Sequence, residues 1–117
     1  APAEGRAAAT VDLGAADRGA GAGPVEIRIE PGDARVPLTL PALPVDDEAM
    51  LVVELRDAAG RLLQRQVLVA GRALQPGGVV LPAAELAAGP HVLVVRFVDP
   101  ATGETSREIP LVVRISR

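Results

Sequence analysis

The sequence predicts an all-β fold, an immunoglobulin-like antiparallel β-sandwich of seven or eight strands, and three observations carry this prediction. Apolar and polar residues alternate over most of the chain, which is typical of strands that bury one face. Turn signals rich in Gly, Pro and Asp recur roughly every 8–12 residues. No segment has a sustained helical period, and the Ala-rich stretch at 83–88 is long enough only for a single helical turn.

The amino-terminal strands are short and edge-like. Thr10–Leu13 predicts a first edge strand, and Val25–Glu30 alternates cleanly after a Gly/Ala-rich loop. The next strand, 36–40, contains Pro37. Proline cannot donate to a sheet ladder, so this strand is expected to lie at an edge or to contain a bulge.

Two hairpins follow. Leu51–Arg56 leads through the turn Asp57–Gly60 to a return strand, Arg61–Val69, whose less regular apolar pattern predicts a bulge or an edge position. Beyond a short strand at 79–81, the segment Leu86–Ile115 predicts two long strands joined by the turn Asp99–Gly103. Alternate residues of these two strands face the core, namely His91, Leu93, Val95, Phe97, Ile109, Leu111, Val113 and Ile115.

Length and composition bound the organisation of the chain. Its 117 residues fit one domain, which we predict at 9–117, preceded by a flexible or docking arm at 1–8. The chain has one Phe, no Tyr or Trp, and no Cys, so the core must be aliphatic and a disulfide, a thiol nucleophile or a zinc–thiolate site is excluded. Every basic residue is Arg, and Lys and Asn are absent, which fits either a GC-rich genome or a designed sequence.

Charge and hydropathy exclude several classes of partner. The net charge is −3, the Arg residues are dispersed among acids, and stacking aromatics are missing, so no nucleic-acid partner is expected. No apolar run is long enough for a transmembrane segment in this chain. The Ala-Pro-Ala start fits a cleaved secretory precursor, although a trimmed chain would look the same.

Two loop motifs suggest ligand sites but lack the required context. The spacing Gly19-x-Gly21-x-Gly23 resembles a phosphate loop, yet Pro24 and an alternating strand follow it instead of a helix. The acids Asp46, Asp47 and Glu48 lack the spacing of calcium loops, which favours a solvated loop tip. No metal and no cofactor are therefore predicted.

The sequence Leu86-Ala-Ala-Gly89-Pro-His91 resembles the corner between the fifth and sixth strands of immunoglobulin-like and fibronectin type III-like domains. There an aromatic residue, usually Tyr, opens the sixth strand and bonds back to the loop. The resemblance implies a structural corner made by Leu86, Gly89 and His91. The His91 ring nitrogen would then replace the Tyr hydroxyl as donor to a loop carbonyl. A metal-ligand or catalytic role for His91 would need partners, and no second His exists.

A wider stretch, Thr10–Ile115, is similar to immunoglobulin-like extracytoplasmic modules of bacterial envelope proteins, especially those of zinc-binding anti-sigma factors. The similar features are Leu13 with Arg18-Gly19, the segment 36–40, the segment 53–61 and the corner. The family's zinc-binding and membrane parts lie outside these residues. The resemblance therefore implies the fold and an extracytoplasmic setting, periplasmic or secreted, and carries no regulatory role.

The chemistry-bearing residues do not form a catalytic set. The two serines, Ser106 and Ser116, both lie in the carboxy-terminal strand region, so no catalytic triad is credible and no enzyme is expected. The outward positions of the three central strands instead form a valine stripe, which predicts a candidate interface at Val52, Val92, Val94, Val98 and Val112. Ordinary β-propensity, or cover by the amino-terminal segment, is the alternative explanation.

These observations predict a non-enzymatic structural or protein-interaction module of a bacterial envelope or secreted protein. Its partner would be a protein, either an envelope protein or a second copy in a homo-oligomer. One alternative is a self-assembling filament or pilus-like subunit that adds its amino-terminal strand to a neighbour. The other is a designed sandwich without natural function.

Overall fold

A computed structural model describes residues 6–13, 25–41, 45–106 and 108–117. Strands dominate these residues, with one short helix and one 3₁₀ turn. The helix, α1, is Ala70–Ala73, and the 3₁₀ turn is Ala83–Glu85. The strands are β1 (Arg6–Ala7), β2 (Val11–Asp12), β3 (Val25–Arg28), β4 (Asp33–Thr39), β5 (Met50–Asp57), β6 (Leu62–Val69), β7 (Val79–Pro82), β8 (Gly89–Val98) and β9 (Ile109–Ser116).

The first sheet is built around β4. Its residues Arg35 and Leu38 pair on one side with Pro82 and Val79 of β7, which runs antiparallel. On the other side β1 and β2 lie end to end and parallel to β4. Residues 6–8 of the predicted arm therefore lie along the sheet of their own chain, and Ala8 N donates to Arg35 O at 2.8 Å.

The second sheet has five strands in the order β3-β9-β8-β5-β6. The hairpins β5–β6 and β8–β9 and the central pair β5–β8 are antiparallel, whereas β3 runs parallel to β9. The three predicted central strands thus share one sheet. The predicted irregularity in the return strand is a register shift opposite Leu55 and Arg56, and β6 is also an edge.

The two sheets enclose an aliphatic core. From the first sheet it includes Val36, Leu38, Val79 and Leu81, and from the second Ile27, Leu51, Val53, Leu55, Leu93, Val95, Val113 and Ile115. Phe97, the single aromatic residue, packs against this cluster and is partly buried. Each fully buried aliphatic side chain stabilises the fold by about 1.5–3 kcal/mol. The predicted all-β sandwich is therefore confirmed.

The topology differs from the prediction in its pairing. Both sheets are mixed, because β1 and β2 run parallel to β4, and β3 parallel to β9, whereas wholly antiparallel sheets were expected. The described residues form nine strands, where seven or eight were expected, because Arg6–Ala7 of the predicted arm forms β1 before the predicted first strand. Alternation predicts strands but carries no information on their direction.

The gap between β1 and β2 lies opposite Pro37. The carbonyls of Arg35 and Thr39 both accept hydrogen bonds from the amino-terminal segment, from Ala8 and Leu13 respectively. Alternate residues of a strand offer their polar groups to the same side, so Pro37 faces that side too and has no N–H to give. Because β4 is paired on both sides, it is not an edge strand. The neighbouring strand is interrupted instead.

Glycines occupy the predicted turns, and the structure adds one short helix that the sequence did not predict. Gly32, Gly60 and Gly103 have positive φ in the loops after β3, β5 and β8. The segment after β6, where no helix was predicted, begins with α1, whose Ala70 and Gly71 amides donate to Ala49 O and Asp47 O at 2.8 Å each. The loop predicted at 14–24, which includes Gly19, Gly21 and Gly23, lies outside the described residues. Within the described residues no helix is long and apolar enough to cross a membrane.

Candidate protein-interaction surface

The outer face of the five-stranded sheet carries most of the exposed apolar side chains of the described residues. Of the five large hydrophobic residues that are strongly exposed, four belong to this sheet and one, Val80, belongs to the first sheet. The four are Leu62, Val67, Val69 and Val112. The outer face is therefore the part of the described surface with the greatest apolar exposure.

The five predicted interface valines all point to this outer face but differ in burial. Val112 is 52% exposed, and Val92 and Val98 are half-buried. Val52 and Val94 are buried. Val92 and Val112 are neighbours across β8 and β9. Because Val52 and Val94 are buried, the five valines do not form one exposed stripe.

A charged cluster explains the two buried valines. Glu54 lies on the same outer face and is directly paired with Val94, while Arg96 is paired with Val52. Glu54 accepts from Arg56 at 2.5 Å and from Arg96 at 2.7 Å, and it is only 6% exposed. The arginine stems cover apolar surface while their guanidinium groups meet the carboxylate.

Two further groups extend the cluster. Arg65 Nε lies 3.9 Å from Glu54, and Glu108 lies 3.7 Å from Arg56 and 3.8 Å from Arg96. The cluster thus contains three arginines and two carboxylates, which come from β5, β6, β8 and the segment before β9. The buried Nε of Arg96 has no hydrogen-bond partner within the described residues. The cluster holds β5, β6 and β8 together across the outer face.

These contacts change the acidity of Glu54. The hydrogen bond from Arg56, together with the charges of Arg96, Arg56 and Arg65, lowers the pKa of Glu54 below its ordinary value, against burial, which acts to raise it. Glu54 is consequently ionised at neutral pH. Its two carboxylate oxygens accept hydrogen bonds from Arg56 and Arg96, and its negative charge holds these arginines in place.

The predicted corner lies at the start of β8. Leu86 is fully buried, Gly89 has φ +121°, and the buried His91 ring places Nδ1 3.0 Å from the carbonyl oxygen of Gly89. His91 thereby contacts its own loop. The residue that the sequence reasoning missed is Arg117, which donates to Ala83 O at 2.7 Å and to Leu86 O at 2.6 Å. Its contacts join residues that are 31 and 34 positions apart in the sequence, so no local sequence pattern indicates them.

Two of the described residues with catalytic or ligand chemistry make structural hydrogen bonds. Ser106 Oγ accepts from Phe97 N at 3.0 Å, and Asp57 accepts from the amides of Ala59 and Arg61. The backbone hydrogen bond from Arg61 leads the contacts that lower the pKa of Asp57. No group of three or more His, Asp or Glu residues in the described ranges could hold a metal ion. A small cavity beside Asp46 and Asp99 is lined mainly by apolar residues.

Comparison with known proteins gives no family. No protein-family model matches the chain, and no curated protein matches it. Among solved structures, the crystal structure of CopC from Methylosinus trichosporium OB3b is similar with a TM-score of 0.45 and 18% sequence identity. The match covers 80% of this chain and 83% of that chain. At this level of similarity it provides no functional assignment.

Proposed function

We propose that this chain is a non-enzymatic protein-interaction module of a bacterial envelope or secreted protein, and that it binds protein through the outer face of its five-stranded sheet. The observation that carries the proposal is the apolar exposure concentrated on that sheet. Isolated exposed hydrophobic residues are ordinary, but several on one sheet favour a contact surface. The extracytoplasmic setting is supported by the resemblance of the corner and strand motifs to envelope modules.

The burial pattern divides the candidate interface into two parts. Val112 and Val92 are neighbours across β8 and β9 and offer side chains that a partner can reach. Val52 and Val94 are buried and are paired across strands with Arg96 and Glu54 of the charged cluster. A partner would therefore contact valines at the side of the cluster and arginines at its centre. Such mixed apolar and arginine surfaces are typical of protein interfaces.

The filament alternative carries an added requirement. The amino-terminal segment already pairs with β4 of its own chain at 6–7 and 11–12, so donation to a neighbour would require it to leave that position. The proposal above needs no such rearrangement.

The test compares Val112→Glu with Val80→Glu. Val112 is 52% exposed on the proposed face, and Val80 is 40% exposed on the first sheet. We expect Val112→Glu to reduce co-purification of envelope proteins at least tenfold, with Val80→Glu near wild type. Equal retention by both variants would reject the proposed face. Circular dichroism would establish that both are folded.

A further inference from the structure

The edge strand β6 has a register shift near its start, opposite Leu55 and Arg56, but beyond that point it lacks the usual protection of an exposed sheet edge. Within the described residues it pairs with β5 alone. Its eight residues, Leu-Leu-Gln-Arg-Gln-Val-Leu-Val, contain no Pro or Gly and a single charge, Arg65. Natural edge strands are usually short, strongly charged or interrupted, because an open ladder pairs readily with another chain.

The direction of the open hydrogen-bonding groups follows from the ladder. Ala70 N donates to Ala49 O at 2.8 Å, which makes these residues a hydrogen-bonded pair at the end of the β5–β6 ladder. Hydrogen-bonded pairs alternate along an antiparallel ladder, so residues 64, 66 and 68 bond to β5. Arg65, Val67 and Val69 therefore direct their N–H and C=O groups to the open edge.

The same residues place their side chains on the outer face. Val67 is 53% exposed, and Val69 is also strongly exposed. Across the sheet Val67 is paired with Val52, and Val69 with Met50, which is paired in turn with Val98. The open edge is thus the rim of an apolar strip that continues into the sheet.

We propose that β6 pairs antiparallel with β6 of a second copy of this chain, about a two-fold axis at Val67, so that the sheet continues across both copies. The inference rests on the proposed function, since it names a partner for the same sheet. In this register Val67 faces its own copy and Arg65 faces Val69, so no like charges meet and about six backbone hydrogen bonds form. A two-fold axis at Arg65 would instead place the Arg65 side chains of the two copies directly opposite each other, which is unfavourable.

The charges at the two ends of β6 favour antiparallel pairing of two copies, because this direction keeps their acidic ends apart. The turn before β6 carries Arg61, whose side chain is 78% exposed and which pairs with Asp57 at 3.2 Å. The opposite end of β6 lies beside the acidic loop of Asp46, Asp47 and Glu48, because Gly71 N donates to Asp47 O. Three acids there outnumber the nearby Arg72. Antiparallel pairing brings the Arg61 end of each copy to the acidic end of the other.

A charge swap at the two-fold axis tests this pairing. We expect the wild-type chain to reach twice the monomer mass at high concentration in sedimentation velocity. Val67→Glu and Val67→Lys should each remain monomeric, because like charges then face each other. An equimolar mixture of these two variants should recover the dimer. Arg114→Glu is the control, since it changes an exposed charge on β9, away from the edge, and should dimerise as wild type does.

A cross-link provides an independent readout. The chain has no Cys, so Val67→Cys introduces a single thiol, and two residues of a hydrogen-bonded pair lie about 5.5 Å apart at Cα, within disulfide range. Oxidation should give a covalent dimer. A wild-type chain that stays monomeric at millimolar concentration would overturn the inference. Dimers of the folded Val67→Glu chain would also overturn it, as would a mixture of Val67→Glu and Val67→Lys that forms no dimer. Loss of Val112-dependent partner binding in a monomeric Val67→Glu chain is a separate outcome, which would tie the proposed function to dimerisation.

Discussion

Glu54 is the residue on which the outer face of the second sheet depends. It points away from the core, yet it is almost fully buried because Arg56, Arg96 and Arg65 converge on it from three strands. A carboxylate held by several guanidinium groups is stabilising only while all partners remain, since removal of one leaves the others uncompensated. Removal of Glu54 or of one arginine should therefore leave uncompensated charge on the outer face.

Replacing Glu54 should destabilise the fold in a manner that depends on pH. At pH 7 we expect Glu54→Gln to lower the free energy of unfolding by about 1–2 kcal/mol, because charge-assisted hydrogen bonds are lost. Glu108→Gln is the matched control. Its side chain is 50% exposed, so we expect a change below about 0.5 kcal/mol. Urea unfolding followed by circular dichroism measures both.

The pH dependence has a defined sign. The pKa of Glu54 is lower in the folded chain than in the unfolded chain, where it is about 4.3. Its contribution is therefore fully present above the unfolded pKa and is lost as pH falls through the folded pKa. Wild type should lose stability below about pH 4 more steeply than Glu54→Gln. Parallel pH profiles for the two chains would contradict a role for the Glu54 charge.

The inward residues of β8 and β9 were predictable one by one, whereas the burial of outer valines was not. Alternation identifies Leu93, Val95 and Val113 as core residues, and all three are buried. Val52 and Val94 are also buried, although they are outward positions. Their burial depends on arginines from neighbouring strands, and the cross-strand register that brings those arginines close is absent from a local pattern.

At the scale of elements, the corner before β8 is joined to the end of β9. Arg117 donates to the carbonyl of Ala83, which begins the 3₁₀ turn and also accepts from Leu86 N at 3.1 Å, and to the carbonyl of Leu86, which follows that turn. The last residue of the described chain thus fixes the loop that carries Leu86 into the core. The resemblance to immunoglobulin-like corners predicts a contact from His91, whereas the longer-range contact comes from Arg117.

Removal of this contact should loosen the corner. We expect Arg117→Ala to lower the free energy of unfolding by about 1–2 kcal/mol, because two charge-assisted hydrogen bonds to backbone carbonyls are lost. Amide hydrogen exchange at 83–89 should become faster, while exchange in β5 stays unchanged. Arg114→Ala, an exposed substitution on β9 just before Arg117, should leave both quantities near wild type. Unaltered exchange at 83–89 in Arg117→Ala would show that the corner is held by Leu86 alone.

The strands themselves were predictable to within a few residues, but their directions were not. The alternating segments at 25–30, 36–40 and 51–56 all lie in or beside strands. The parallel pairs of β1 and β2 with β4, and of β3 with β9, join segments whose contacts are set by the assembled sandwich. At Pro37 the local rule predicted either an edge strand or a bulge, and only the edge alternative is wrong, because β4 is paired on both sides.

At the scale of the whole molecule, the sandwich divides its surfaces by role. The inner faces form one aliphatic core, and the second sheet presents a charged centre with exposed valines on two sides. The candidate site was predictable as a sheet face, because outward valines are visible in the sequence. Its central charged cluster was not, since its members come from β5, β6, β8 and the segment before β9.

The most direct test of the protein-interaction account places a photo-cross-linking amino acid at position 112 and, as control, at position 80. Both sites are exposed valines, on the second and first sheets respectively. After illumination in a bacterial envelope that contains the natural partners, the account predicts discrete protein adducts from position 112 and few from position 80. Equal adducts from both positions, or none from position 112, would contradict it.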